Sequence, residues 1–286
     1  VVLDGAKALA VPTRFGQNLI VKKGNNQQIN WISHDFDGSS WFQDTITFSE
    51  IKKKELHENN HSVKNTLIEI LHQAFIQNPN FLNEDGYEIE TNLTFPRIWG
   101  LGTSSTLINN IGQWLQIDAF ELLRKSFGGS GYDVACAQTN LPIIYQLENE
   151  IPYFKTVHFN PKFKENIHFV YLNQKQNSKS AISNYLTQRR KVNKVISKIN
   201  TITYNAIDCK EGAAFAKLME QHEIIMSDVL ETKTVQENLF PDFKGVIKSL
   251  GAWGGDFVMV ISKENPRNYF IEKGYSTILS YEEMIL

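Results

Sequence analysis

Gly100-Leu101-Gly102-Thr103-Ser104-Ser105-Thr106 is a glycine turn that runs into hydroxyl residues and then into a helical pattern. Beyond Thr106, Leu107, Ile111, Trp114 and Leu115 recur at three- and four-residue spacing on one helix face, which puts Thr103 to Ser105 at the helix N-terminus. Unpaired backbone N–H groups and the positive end of the macrodipole point outward there, and Ser and Thr hydroxyls can cap them. Such an end holds a phosphate group, and glycine lets the backbone approach it with no Cβ in the way. Taken alone, the stretch reads also as a plain turn with Ser104 as an N-cap. No Lys follows the hydroxyls as a Walker A loop requires, and Ser105 stands where a dinucleotide fingerprint has its third glycine. Both common phosphate-loop assignments are therefore disfavoured.

The chain around this turn has 286 residues, enough to bury a sizeable core in one large or two modest domains. A net charge of -2 gives no global attraction to nucleic acid or to an anionic membrane, and neither is an expected partner. Lys52-Lys53-Lys54 and Arg189-Arg190-Lys191 lie beside helical patterns and read as solvated faces. Cys136 and Cys209 are too few for a disulfide framework and are not spaced for zinc or redox work, so a reducing cytoplasm is the expected location. No apolar run approaches the roughly 20 residues that span a bilayer, and no signal-peptide pattern is present.

Periodicity places the remaining elements. Val1 to Leu3, Leu9 to Val11, Leu19 to Val21, Ile29 to Ile32 and Trp41 to Phe48 read as a strand-rich opening, and Glu88 to Phe95 alternates as a strand leading into Pro96. Helices are expected over Val63 to Gln77, Ala119 to Ser126, Val134 to Gln138 and Glu211 to Leu230, and another is expected behind Ser178 as its cap, carrying Ile182, Tyr185 and Leu186. His222 falls on the apolar stripe of the Glu211 helix and reads as a satisfied core or interface histidine rather than a ligand or base. Ile167 to Leu172 and Phe257 to Ile261 are expected strands. The polar, proline-containing stretch from Glu148 to Lys164 is the candidate boundary, giving domains of 1–160 and 161–286. The whole reads as α+β in two domains.

Three glycine-marked loops stand at junctions of regular elements: Gly100 to Ser105, Gly128 to Asp133, and Gly251-Ala252-Trp253-Gly254-Gly255-Asp256. Together they resemble the GHMP kinase superfamily of galactokinase, homoserine, mevalonate and phosphomevalonate kinases. Pro96-Arg97-Ile98-Trp99-Gly100-Leu101-Gly102-Thr103-Ser104-Ser105 is similar to that family's nucleotide loop Pro-x-x-x-Gly-Leu-Gly-Ser-Ser, with Thr103 in place of the first serine. The segment Val1 to Pro12 resembles the end of its N-terminal motif. Lys248-Ser249-Leu250-Gly251-Ala252-Trp253-Gly254-Gly255-Asp256 resembles its C-terminal glycine motif in the version of the phosphomevalonate kinases.

The resemblance implies a two-domain fold with the active site in an interdomain cleft, and ATP and Mg²⁺ as cofactors. Pro96, Gly100, Leu101, Gly102, Thr103, Ser104 and Ser105 would form the nucleotide loop, with the Ser104 hydroxyl on Mg²⁺. Asp133, in Ser130-Gly131-Tyr132-Asp133-Val134-Ala135, matches the aspartate beside the acceptor hydroxyl and would take its proton; its other reading is an N-cap of the helix at Val134. Glu121 would be a second metal ligand, at a spacing to Asp133 that is off by about one residue; a solvated helix glutamate is its other reading. Ser249, Gly251, Trp253, Gly254, Gly255 and Asp256 would lie by the acceptor. Two features depart from the family: its N-terminal Lys would precede Val1, and Trp253 replaces a glycine.

These expectations describe a kinase for a small-molecule alcohol or phosphate acceptor, with mevalonate or phosphomevalonate favoured. A sugar or amino-acid alcohol is the alternative within the superfamily. The diphosphomevalonate decarboxylase branch carries Ala-Ser-Ser-Ala-Ser-Gly at the nucleotide loop, and Gly-Leu-Gly-Thr-Ser-Ser argues against it. A non-catalytic binding module with the same fold is the alternative from another class.

Overall fold

The computed structural model describes residues 1–57, 62–175, 182–183, 185–187, 192–251, 253 and 255–286. Its chain forms two compact units, a smaller one of 15–97 and 101–138 and a larger one of 1–14, 98–100 and 139–286.

The smaller unit is a four-stranded sheet backed by helices. Strands β2 (Gln17–Lys23), β3 (Gln28–His34), β4 (Ser40–Thr47) and β5 (Tyr87–Leu93) lie in the order β2-β5-β3-β4. Only β3 and β5 run parallel, with Trp31 opposite Ile89. Alternation puts Ile29, Trp31, Ile89 and Leu93 on the buried face, as a half-covered sheet requires. Helices α1 (Phe48–Lys53), α2 (Val63–Gln77), α3 (Thr103–Leu115), α4 (Ala119–Ser126) and α5 (Tyr132–Ala137) supply the rest of one core, to which Leu67, Leu71, Ile108, Ile111, Leu122 and Val134 belong. Two polar groups on the buried sheet face satisfy each other: the Thr91 hydroxyl donates to Ser33 Oγ at 2.9 Å, and Trp31 Nε1–H donates to the same oxygen at 3.0 Å.

The larger unit holds two antiparallel sheets. One has the order β1-β6-β7, from β1 (Ala8–Ala10), β6 (Ile143–Glu148) and β7 (Ile151–Thr156). The other has the order β11-β8-β10-β9, from β8 (Ile167–Tyr171), β9 (Val246–Ser249), β10 (Phe257–Ile261) and β11 (Ile278–Ser280). Every residue of β8 and β10 is buried, which explains why these segments read as unbroken runs. Helices α6 (Asn193–Asp208), α7 (Gly212–Leu230), α8 (Val235–Leu239), α9 (Arg267–Glu272) and α10 (Tyr281–Met284) accompany them. Val170, Phe240, Ile247, Val258, Val260 and Phe270 form a core in this unit.

Four expectations are corrected. Val1 to Leu3 is no strand, because Val2–Asp4 close a 3₁₀ turn in which Asp4 N–H reaches Val1 O at 3.0 Å. The strand expected through Phe48 ends at Thr47, where a capping box turns the chain into α1: Thr47 accepts from Glu50 N–H, and the Glu50 carboxylate accepts from Thr47 N–H at 2.6 Å. The polar stretch taken as the boundary of 1–160 and 161–286 contains β7, which pairs with β6 along its whole length, and the two units divide at other points. His222 is not satisfied: its Nδ1 is buried with no hydrogen-bond partner among the described residues. Ser178 and Arg189 to Lys191 lie outside the described residues, so the cap and the second basic run have no structural account.

Candidate functional site

The site is built from glycines that start or end helices. Helix α3 begins at Thr103 behind Gly102, which serves as its N-cap at φ 74° with no side-chain cap. Neither Thr103 nor Ser104 is the N-cap, so the reading of Ser104 as a plain cap falls. A Cβ on Gly102 would meet nothing within 4 Å, so its left-handed backbone, and not a close neighbour, is what favours glycine here. Thr106 ties this end down instead. Its N–H closes the first helical bond to Gly102 O at 3.0 Å, while its hydroxyl lies 3.0 Å from Gln17 Oε1. Asn110 Nδ2 donates to Gln17 O at 2.9 Å, so the helix start is fixed to β2. Further along, a Cβ on Gly112 would come 2.9 Å from Ala119 Cβ, and this glycine lets α3 lie close against the start of α4.

Ahead of α3, the chain is held at Arg97, Ile98 and Trp99. In the smaller unit, the Arg97 guanidinium stacks over the Trp41 ring at 4.7 Å, and Arg97 N–H donates to Asp35 Oδ1 at 2.9 Å. In the larger unit, Tyr171 OH donates to Ile98 O at 2.8 Å, and Trp99 stands edge-on to Phe257 with ring centroids 5.4 Å apart. Sequence reasoning missed Trp41, Asp35 and Tyr171, since each lies far from the motif in sequence.

Asp133 sits in the first turn of α5, whose N-cap is Gly131 at φ 83°. It is not the N-cap that its alternative reading required. Helix α5 packs beside α3, and Val134 shares the core with Ile108 and Ile111. The Asp133 carboxyl keeps accessible surface, yet the protein around it penalises its charge and pushes its pKa up to about 6, against a hydrogen bond from Tyr132 that favours the charged form. One helical turn on, burial and the Asp133 charge push the Cys136 thiol up to about 12, so this cysteine is held as an inert thiol. A carboxylate whose pKa lies just below neutrality is matched to accepting a proton.

The third glycine loop joins β9 to β10. Gly251, Trp253 and Asp256 all have left-handed backbone, at φ 55°, 64° and 53°. Trp253 thus keeps a glycine-like backbone where the family motif has glycine. The Asp256 backbone extends the β8 and β10 pairing, with its N–H on Gln174 O at 2.7 Å and its carbonyl taking Leu172 N–H at 2.8 Å. Its side chain meets the first loop within the larger unit: a Cβ built on Gly100, which has φ 69°, would lie 2.0 Å from Asp256 Oδ1. Only glycine permits that approach.

Not every expected residue is offered to a ligand. Ser249 is 2% exposed and donates its hydroxyl to Glu223 Oε1 at 2.6 Å, so it faces the interior of the unit and not an acceptor. Glu121 lies in the first turn of α4, where its N–H is capped by Asp118 at 3.2 Å. Among the described residues no three His, Cys, Asp or Glu side chains cluster as a metal site. Gly254 lies outside the described residues. A shallow groove of about 460 Å³ between α6 and α7, lined by Ile202, Ile224 and Ile225 among others, includes no residue of the three loops.

No family model matches the sequence, and no curated protein matches it closely enough to count as a relative. Solved structures do match. The mevalonate kinase of Methanococcus jannaschii superposes with a TM-score of 0.65 at 15% identity, covering 97% of this chain and 92% of that one. The galactokinase of Lactococcus lactis in complex with galactose superposes with a TM-score of 0.64 at 11% identity, covering 94% and 83%. Both are members of the superfamily that the three glycine loops resemble. Over 94–97% of its length, this chain has the fold of these GHMP kinases.

Proposed function

We propose that the chain is an ATP- and Mg²⁺-dependent small-molecule kinase that moves the γ-phosphoryl group onto a hydroxyl or phosphate of a mevalonate- or phosphomevalonate-like acceptor. The observation that carries this reading is the pairing of a glycine-capped α3 with a neighbouring helix that carries Asp133, its carboxyl poised near pH 6. The backbone N–H groups of Thr103, Ser104 and Ser105, at the start of α3, suit phosphate oxygens. Bound Mg-ATP supplies the transferable group and neutralises charge on its phosphates. In our assignment Ser104 offers its hydroxyl to the metal, and Glu121 is the candidate for a second protein ligand. Asp133, ionised above about pH 6, accepts the acceptor's hydroxyl proton as the new O–P bond forms and the bond to the leaving diphosphate breaks. The galactose-bound neighbour matches the fold as well as the mevalonate kinase does, and it favours a sugar acceptor as the second reading.

An ATP-coupled assay over mevalonate, phosphomevalonate, galactose and homoserine tests the proposal. We expect turnover with one of these, rising with pH through about 6 as Asp133 loses its proton. Asp133→Asn should lower turnover by roughly 10²- to 10⁴-fold while Mg-ATP still raises the melting temperature. No ATP consumption with any acceptor, together with no thermal shift, would remove the kinase reading and leave a binding module.

A further inference from the structure

Glu223 is a carboxylate in the wrong place for an ordinary helix. It lies on α7 among the buried residues Phe215, Met219 and Met226, and it is 2% exposed. Four donors converge on it, all from β9 or from the loop that follows. Oε1 takes the Ser249 hydroxyl at 2.6 Å. Oε2 takes Ser249 N–H at 3.1 Å and the Trp253 indole N–H at 3.3 Å, and Lys248 Nζ stands 3.3 Å away. Lys248 is itself 8% exposed and also donates to Ser249 O at 2.5 Å. Burial pulls the Lys248 pKa down and the Glu223 charge pushes it back up. A buried ion pair of this kind does little for net stability, since the desolvation of both ions offsets their attraction. What it does supply is geometry, because the carboxylate ties the end of β9 to the Trp253 indole in the loop that follows.

That loop needs holding. Trp253 and Asp256 carry side chains in left-handed backbone, a conformation that persists only where the surroundings impose it. Asp256 is gripped at its backbone by Gln174 and Leu172, and Trp253 by its indole on Glu223. Between these grips the chain places the Asp256 carboxylate against Gly100, at the head of the turn that leads into α3. We propose that Glu223 is a positioning residue: by anchoring the Trp253 indole it sets the third glycine loop, and through Asp256 it sets Gly100. The tryptophan that stands in place of a motif glycine is then the loop's attachment point. Its consequence for nucleotide binding rests on the kinase reading above, whereas the loop anchoring does not.

Trp253→Phe removes the indole N–H and keeps a ring, and Glu223→Gln replaces an acceptor oxygen with an amide that faces donors. Hydrogen exchange read by mass spectrometry over 97–100 and 250–256 is the deciding measurement. Both variants should exchange faster in these two segments while α2 and β5 keep their protection. For active enzyme, KM for Mg-ATP should rise roughly threefold to tenfold, the size of one lost hydrogen bond. The melting temperature of Trp253→Phe should fall by no more than about 4 °C. A merely structural role would lower the melting temperature without moving KM or selecting those segments. Should Glu223→Gln fail to fold, Trp253→Phe decides alone. Unchanged exchange in both segments in Trp253→Phe would overturn the proposal, even if the wild type proves to be a kinase. Faster exchange in a protein that consumes no ATP would uphold the anchoring and remove only the kinase reading.

Discussion

At the scale of single residues, Gly100 is where two motifs meet. Its left-handed φ of 69° already disfavours a side chain, and the Asp256 carboxylate fills the place where a Cβ would go. The Asp256 backbone is pinned, so the carboxylate can yield only by swinging away. Gly100→Ala should therefore weaken Mg-ATP binding by about tenfold or more, which calorimetry would read directly. Adding Asp256→Ala should restore part of the loss, because it removes the obstacle and leaves only the backbone cost. Equal affinity in Gly100→Ala and wild type would show that this contact does not shape the site. That Gly100, Gly102 and Gly131 stand at junctions of regular elements was legible in the sequence, since clustered glycines mark turns. The placing of Asp133 inside α5 was not, because a one-residue shift of a short helix leaves no mark on periodicity. Glu223 was invisible for another reason: its partners Lys248 and Trp253 are far along the chain, and a lone glutamate in an apolar stripe does not name them.

Among the elements, α2 and α4 fall on the residues their periodicity indicated, Val63–Gln77 and Ala119–Ser126. Their apolar spacing agrees with their capping: Ser62 and Asp118 both accept hydrogen bonds from their helix starts. Periodicity misled at Phe48, where an apolar residue could serve either element and the Thr47 and Glu50 capping box decided for helix. Helix α7 was also foreseen, and its odd residue makes a prediction. Burial, followed by the nearby Lys248 charge, holds the His222 pKa down at about 3, against its ordinary 6.5. The unfolded chain therefore takes up a proton at this residue below pH 6.5 and the folded chain does not. Stability from His222 is complete above pH 6.5 and is lost as pH falls from there toward 3. Between pH 7 and 5 the wild type should lose about 2 kcal/mol more than His222→Gln in urea titrations. The difference against the variant cancels the opposite contribution of Asp133, whose raised pKa favours the folded state at low pH. Parallel pH dependence in the two proteins would show that His222 is charged or exposed in the fold.

On the scale of the whole molecule, the order of the glycine loops along the chain was enough to indicate the fold, while the division of the chain was not. A polar stretch looks like a boundary in sequence, but the Glu148 to Lys164 segment spends its backbone groups on a strand pair. The units instead divide at residues 14, 97, 100 and 138, at points where composition hardly changes. Each unit nevertheless has an apolar cluster made from its own residues. Ile108, on α3 in the smaller unit, and Phe270, on α9 in the larger, are both 0% exposed. Truncating either to Ala should cost about 2–5 kcal/mol, the transfer of the lost atoms plus the cavity they leave. Since each cavity opens in a separate cluster, its effect on local opening should stay there. Ile108→Ala should speed hydrogen exchange in β2, β3 and β5, and Phe270→Ala in β8, β9 and β10, each leaving the other sheet close to wild type at low denaturant. If both variants instead raise exchange evenly through all six strands, the chain opens as one cooperative body, and the two clusters act as a single core.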